Sequence, residues 1–299
     1  MTAATTSEGL VQFGEFETWY RITGELDSGP TPLVIVHGGP GCTHDYLENL
    51  TDLAQSGRSV IHYDQIGSGR STHLPERGGD FWTIALFLAE LDNLLAKLGI
   101  RGDYHLLGQS WGGMLAAEHA IRRPAGLRSL VLSNSPASMA LWSSEAKILR
   151  SKMDPRVAAV LDEHEAKGTT SDPAYVAATQ VYYDEHVCRV VPNPSELLRT
   201  MAFMEQDSTV YNVMNGPNEF HCVGTLRDWS IVDRVSAVDV PTLLLSGRHD
   251  EATPRTVQPY FDAISGAQWE IFEDSSHMPF IEERSRYMAV VDAFLCGID

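Results

Sequence analysis

Short apolar runs that close on glycine-rich or acidic turns recur along the chain: residues 32 to 39 (PLVIVHGG), 59 to 67 (SVIHYDQIG), 104 to 110 (YHLLGQS), 127 to 135 (LRSLVLSNS), 241 to 250 (PTLLLSGRHD) and 267 to 277 (AQWEIFEDSSH). Each is too short and too evenly apolar for an amphipathic helix, and reads as a strand buried in a parallel sheet. Between several of them lie helical patterns. In residues 83 to 99 (TIALFLAELDNLLAKLG) apolar positions return every three or four residues, and residues 111 to 123 (WGGMLAAEHAIRR) form a second such stretch. Strand and helix in alternation predict right-handed βαβ units on a mostly parallel sheet, an α/β fold.

From about Pro136 to Val235 the rhythm changes. Strand-like runs give way to helical stretches rich in Met, Tyr and Trp. The expected organisation is therefore a core made of residues 1–135 and 236–299, with residues 136–235 inserted as a helical cap at the C-terminal edge of the sheet, where open α/β folds bind ligands.

At 299 residues, with 43% hydrophobic and 21% charged side chains, the chain has the makeup of a globular protein able to bury one large core. Its formal charge of −18 repels phosphate backbones and anionic headgroups, which argues against nucleic acid or membrane as partners and favours cationic ligands. Cys42, Cys188, Cys222 and Cys296 are scattered without metal-binding spacing, so no metal is expected. The first residues carry neither a basic nor an apolar leader pattern and no stretch is long enough to span a bilayer, so the expected location is cytoplasmic.

Gly108-Gln109-Ser110-Trp111-Gly112 fits G-x-S-x-G between a strand pattern and a helix pattern, the setting of a nucleophile elbow. That makes Ser110 the candidate nucleophile. A serine hydroxyl needs an imidazole to take its proton, and the imidazole needs a carboxylate to fix its tautomer. Asp250 and His277 each follow a strand pattern, in the chain order Ser, acid, His, so all three fall on one sheet edge. Among eleven histidines, His277 alone lies between the last strand and the closing helix, which ranks it above His249; Asp274 is too near His277 in sequence to serve as the acid, and Asp233 precedes its strand. The glycine loop His37-Gly38-Gly39-Pro40-Gly41 follows the first strand run, so the backbone amides of Gly39 and Trp111 are the candidate oxyanion donors.

HGGPG, DQIGSGRS (64 to 71), GQSWGG, NGPNEF (215 to 220), GRHDEATP (247 to 254) and SSHMPFIE (275 to 282) together resemble the prolyl aminopeptidase (proline iminopeptidase) family of α/β-hydrolases, and within it the tricorn-interacting aminopeptidase branch. The likeness runs through nearly the whole chain and is weakest between Leu141 and Glu205. It implies that Glu219 and Glu251 bind the free α-amine of the substrate. From spacing alone Glu219 reads as a solvated loop residue, whereas Glu251 adjoins Asp250 on a loop that must already enter the site. An ammonium leaving water requires such opposite charge. Trp142, Tyr182, Tyr183 and Phe203 read first as packing between cap and core, with some lining the acyl-side pocket. Asp64 and the glycines of DQIGSGRS shape a turn and are assigned no catalytic role.

The resulting expectation is a serine aminopeptidase or amino-acid amidase that needs no cofactor and releases proline or a small apolar residue from short peptides or amides with a free α-amine. Two rivals remain. The same triad serves an esterase or lactonase acting on neutral small molecules, and the same pocket serves a non-catalytic protein that holds a small ligand. Epoxide and dehalogenating relatives of the fold place Asp at the elbow, where this chain has Ser110.

Overall fold

The computed structural model describes residues 5–26 and 29–299. Eight strands form one sheet in the order β1-β2-β4-β3-β5-β6-β7-β8. The six runs read from the sequence become β3 (Leu33–Val36), β4 (Val60–Tyr63), β5 (Tyr104–Gln109), β6 (Leu127–Ser133), β7 (Thr242–Gly247) and β8 (Gln268–Phe272), all parallel. Two further strands, β1 (Thr6–Phe13) and β2 (Phe16–Thr23), make an antiparallel hairpin whose second strand pairs antiparallel with β4. Sequence pattern did not announce this hairpin, because an edge needs little burial: of the eight residues of β1 only Val11 is buried.

The buried strands feed two cores, one on each face. Val34, Val36, Leu106, Leu130, Leu132 and Leu244 meet helices α1 (Ile84–Lys97) and α2 (Trp111–Ala120) through Phe87, Leu91 and Leu115. Their neighbours Leu33, Ile35, Leu107, Val131, Leu243 and Leu245 point the other way, onto Leu47 and Leu50 of a 3₁₀ segment (Asp45–Ser56) and onto Tyr287, Val291 and Leu295 near the C-terminus. This two-residue alternation, apolar on both sides, is why the strands read as continuous apolar runs. Helix α1 starts where Thr83 caps it, the hydroxyl accepting from the Leu86 N–H.

Five helices lie between β6 and β7: α3 (Met139–Arg150), α4 (Pro155–Lys167), α5 (Pro173–His186), α6 (Ser195–Gln206) and α7 (Thr209–Met214). The first three share a small core of their own, built from Leu149, Leu161, Tyr175, Tyr182 and Phe220. Pro155 and Pro173 open their helices, each behind an aspartate cap, Asp154 and Asp172. Helix α6 docks on the 3₁₀ segment through Thr200, whose hydroxyl lies 2.9 Å from that of Thr43 and accepts from the Tyr46 N–H. After β7 come α8 (Pro254–Ala263), a short α9 (Pro279–Glu282) and α10 (Arg284–Cys296), which closes the chain.

Candidate active site

The segments carrying Gly39, Ser110, Asp250, Glu251 and His277 leave the C-terminal ends of parallel strands, which deliver them to one edge, whereas Glu219 follows α7 in the helical insertion. Ser110 sits between β5 and α2 with φ 54° and ψ −123°, a left-handed backbone that L-residues avoid. The turn is possible because its flanks are glycines. A Cβ on Gly108 would lie 2.1 Å from the Gly112 oxygen, and one on Gly112 would lie 2.0 Å from the Val36 oxygen. Trp111 is the first residue of α2, so its N–H has no partner inside the helix. Gly39, at φ 109°, holds the loop after β3 in a conformation closed to other residues.

Asp250 and His277 meet as the sequence order implies. Asp250 Oδ1 accepts from His277 Nδ1 at 2.7 Å and from the Ala252 N–H at 2.7 Å. Its Oδ2 accepts from Asn134 Nδ2 at 2.6 Å. Both oxygens of this fully buried carboxylate are thus engaged, and Nε2 of His277 is left for the substrate side. Burial disfavours a charged His277, but the charge and hydrogen bond of Asp250, aided by Glu219 and Glu282, outweigh it and hold the ring above the ordinary imidazole value of 6.5. Glu282 also fixes the histidine loop, accepting from the backbone N–H and the hydroxyl of Ser276 at 2.6 and 2.7 Å. The Ser110 hydroxyl and His277 line one chamber without a hydrogen bond between them, a bond that tightens in such sites when substrate arrives.

Glu219 and Glu251 face the same chamber, of about 380 Å³, together with Ser110, Gly39 and His277. Glu219 Oε1 accepts from the Tyr211 hydroxyl at 2.6 Å. Glu251, 1% exposed, has no hydrogen-bond partner on either oxygen among the described residues, and its Oε1 lies 4.0 Å from His277 Nε2. Burial, reinforced by the nearby Glu219 and Asp250, pushes the Glu251 carboxyl well above its usual range. Burial likewise raises Glu219, against the opposing pull of Tyr211 and His277.

The four aromatics Trp142, Tyr182, Tyr183 and Phe203 take different places in the structure. Tyr182 is buried inside the helical insertion, and Phe203 stacks under Arg70 at 5.5 Å. Tyr183 lines the chamber. Trp142 does more than pack: its ring meets His277 edge-on at 6.1 Å, its indole N–H donates to the Glu219 carbonyl at 2.6 Å, and with Met114, Met139 and Leu226 it walls a recess of about 10 Å³ beside Ser110 and Glu219. Sequence reasoning missed Asn134 entirely. Its signal was a polar residue directly after a strand on the active edge, at the left-handed φ of 52° that Asn tolerates.

An eight-stranded sheet with a serine elbow after β5, an acid after β7 and a histidine after β8 defines the α/β hydrolases, and the family model described as "alpha/beta hydrolase fold" matches residues 31–284. A proline iminopeptidase of Lactobacillus delbrueckii subsp. lactis is 36% identical over 296 residues, 98% of this chain and 99% of the relative. Among solved structures, VinJ superposes with a TM-score of 0.97 at 53% identity, covering 98% of this chain and 99% of that one. The proline iminopeptidase of Mycobacterium smegmatis gives 0.91 at 49%, covering 97% and 98%. The chain belongs to the proline iminopeptidase family of α/β hydrolases.

Proposed function

We propose that the protein is a serine aminopeptidase or amino-acid amidase that releases an N-terminal residue from a peptide or amide through an acyl-enzyme. The observation that carries this reading is Glu251: a buried carboxyl with no hydrogen-bond partner among the described residues, near Glu219 and 4.0 Å from His277 Nε2. Leaving a polar group buried and unpaired costs about 1–3 kcal/mol, more for a charge, and a substrate ammonium between Glu219 and Glu251 removes that cost. Each charge-assisted bond then contributes about 1.5–3 kcal/mol, enough to separate free from acylated amines.

With the ammonium so held, the carbonyl carbon lies toward Ser110. His277 Nε2 takes the hydroxyl proton as Ser110 Oγ attacks, and the amides of Gly39 and Trp111 hold the oxyanion. The imidazolium, stabilised by Asp250, gives its proton to the departing amine. Water then attacks the ester, losing its proton to His277 and releasing the amino acid and Ser110. The recess between Trp142, Met114, Met139 and Leu226 has room for about one water-sized group, which suits a small side chain such as the methyl of alanine. On the other side the chamber continues between Val187, Leu197, Met201 and Met204 of the helical insertion, which serves as a cap over the leaving portion.

The test is a panel of aminoacyl arylamides, proline and alanine included, each paired with its N-acetylated twin, against wild type and Ser110→Ala. Ser110-dependent cleavage confined to free amines supports the reading. Equal or faster cleavage of the acetylated twins overturns it in favour of a general esterase or amidase, and ligand binding with no turnover by wild type favours a binding protein.

A further inference from the structure

The turn after β4 has no step in that mechanism, yet one of its side chains bridges His37, two residues before Gly39, and the Trp111 indole. Asp64 anchors the turn, its carboxylate accepting the backbone N–H groups of His44 and Arg70 at 2.8 and 2.9 Å. The next residue, Gln65, is 1% exposed. Its backbone N–H donates to His37 Nε2 at 2.9 Å, and its side-chain Nε2 donates to the His37 carbonyl at 2.8 Å. Its Oε1 accepts from the Trp111 indole N–H at 2.9 Å. Since His37 Nε2 is an acceptor, its proton sits on Nδ1, which donates to the Gly38 carbonyl at 2.9 Å. Burial favours that neutral ring, pushing His37 down to about 4.

Gly39 follows His37 by two residues, and the second oxyanion donor is the backbone of Trp111 itself. These donors come from loops after different strands, β3 and β5, and must converge on one oxygen within a few tenths of an ångström. The opposite side of the glycine loop is tied elsewhere. The Tyr46 hydroxyl accepts from the Gly38 N–H at 2.7 Å and donates to Gln109 Oε1, while Gln109 Nε2 donates to the His277 carbonyl at 3.2 Å. Gln109 therefore couples the loop to the base, and Gln65 couples it to Trp111.

We propose that Gln65 is a positioning residue that sets the spacing of the two oxyanion donors by clamping the His37 carbonyl to the Trp111 indole. Only an amide of this length does so. A carboxylate keeps the acceptor for Trp111 but sets an anion against the His37 carbonyl, and a thioether offers neither bond. The clamp acts on a charge present only in the transition state, so its loss lowers kcat and leaves KM in place.

The inference rests on Ser110 being the nucleophile, and the experiment separates the two. Wild type, Gln65→Met, Gln65→Glu, Trp111→Phe and the Gln65→Met/Trp111→Phe double variant are compared by kcat and KM on the best arylamide, by the rate at which a fluorophosphonate labels Ser110, and by thermal melting. Wild type that is not labelled at Ser110 sinks the nucleophile assignment itself. Given labelling, Gln65→Met is expected to lose about 10- to 100-fold in kcat and in labelling rate, with KM within about twofold. Trp111→Phe keeps its backbone donor and breaks only the indole end of the clamp, so it tests the idea even if Gln65→Met does not fold. Its loss should not multiply with that of Gln65→Met, because the Gln65–Trp111 bond it removes is already missing there. A folded Gln65→Met or Trp111→Phe with unchanged kcat and labelling rate, or with a change in KM alone, or fully multiplicative losses in the double variant, overturns the proposal.

Discussion

Asp250 and Glu251 are neighbours in sequence, equally buried, and opposite in their surroundings. Asp250 has a donor for each oxygen, from His277, Ala252 and Asn134. Glu251 has none among the described residues. A buried carboxylate with donors on both oxygens is fixed in one orientation, whereas burial without donors holds the Glu251 carboxyl toward its neutral form. In the proposed reading, one side of the site is finished before substrate enters, and the other is completed by the substrate.

The comparison breaks most visibly on the finished side. Ser110→Ala should abolish arylamide turnover and Asp250→Asn should lower kcat by about 10⁴-fold, since the imidazole loses its tautomer and its counter-charge. An Asp250→Asn enzyme within tenfold of wild type would mean that the acid lies elsewhere. On the unfinished side, Glu251→Gln should lower kcat/KM for free-amine substrates by about 10- to 100-fold while sparing the acetylated twins, the value of one charge-assisted bond. Loss on both substrate sets alike would make Glu251 part of the base's machinery instead.

Asn134→Gly keeps the left-handed backbone and removes the bond to Asp250 Oδ2, together with the longer one to the Ser276 carbonyl and the one accepted from the Ser133 hydroxyl. A fall of about tenfold in kcat is expected, at the low end of what a bond to a charged group contributes. The smallest effects lie in pH. Because the folded protein holds the Glu251 proton more tightly than the unfolded chain, wild-type stability is undiminished below the ordinary value of 4.5 and is lost as pH rises toward the raised folded value. Glu251→Gln lacks that loss, so its melting temperature should exceed wild type's by a margin that widens from pH 5 to pH 8. A constant margin would count against an unpaired buried carboxyl. In kcat/KM, protonated His277 cannot act as base, so the acid limb should lie above 6.5, and the basic limb near the α-amine value of about 8.

Much of the fold was legible because burial on two faces writes an unmistakable run, as in Leu33–Val36 and Thr242–Gly247, and the helix of residues 84 to 97 carried its own cap and periodicity. The hairpin of β1 and β2 was not, since β1 is mostly solvated and β2 is placed by its pairing with β4. Within the candidate site, Ser110, Asp250 and His277 could be proposed from the sequence because each stands at a strand end in a fixed chain order. Glu219 could be named only through family resemblance, because its loop carries no periodic signal. Asn134, Trp142 and Gln65 escaped notice as agents because their partners lie 116, 77 and 46 residues away.

By itself, the sequence determined the local events: which runs are strands, where glycines allow the elbow at Ser110, and which loops leave the active edge. These depend on neighbours within a few residues, and so are written in spacing and pattern. Tertiary structure decided what each carboxylate faces. Asp250 and Glu251 follow the same strand and differ in surroundings because Asn134 and His277 converge on one while Glu219 approaches the other, and the free energy of a buried charge is set by the donors and charges that other segments bring within a few ångströms.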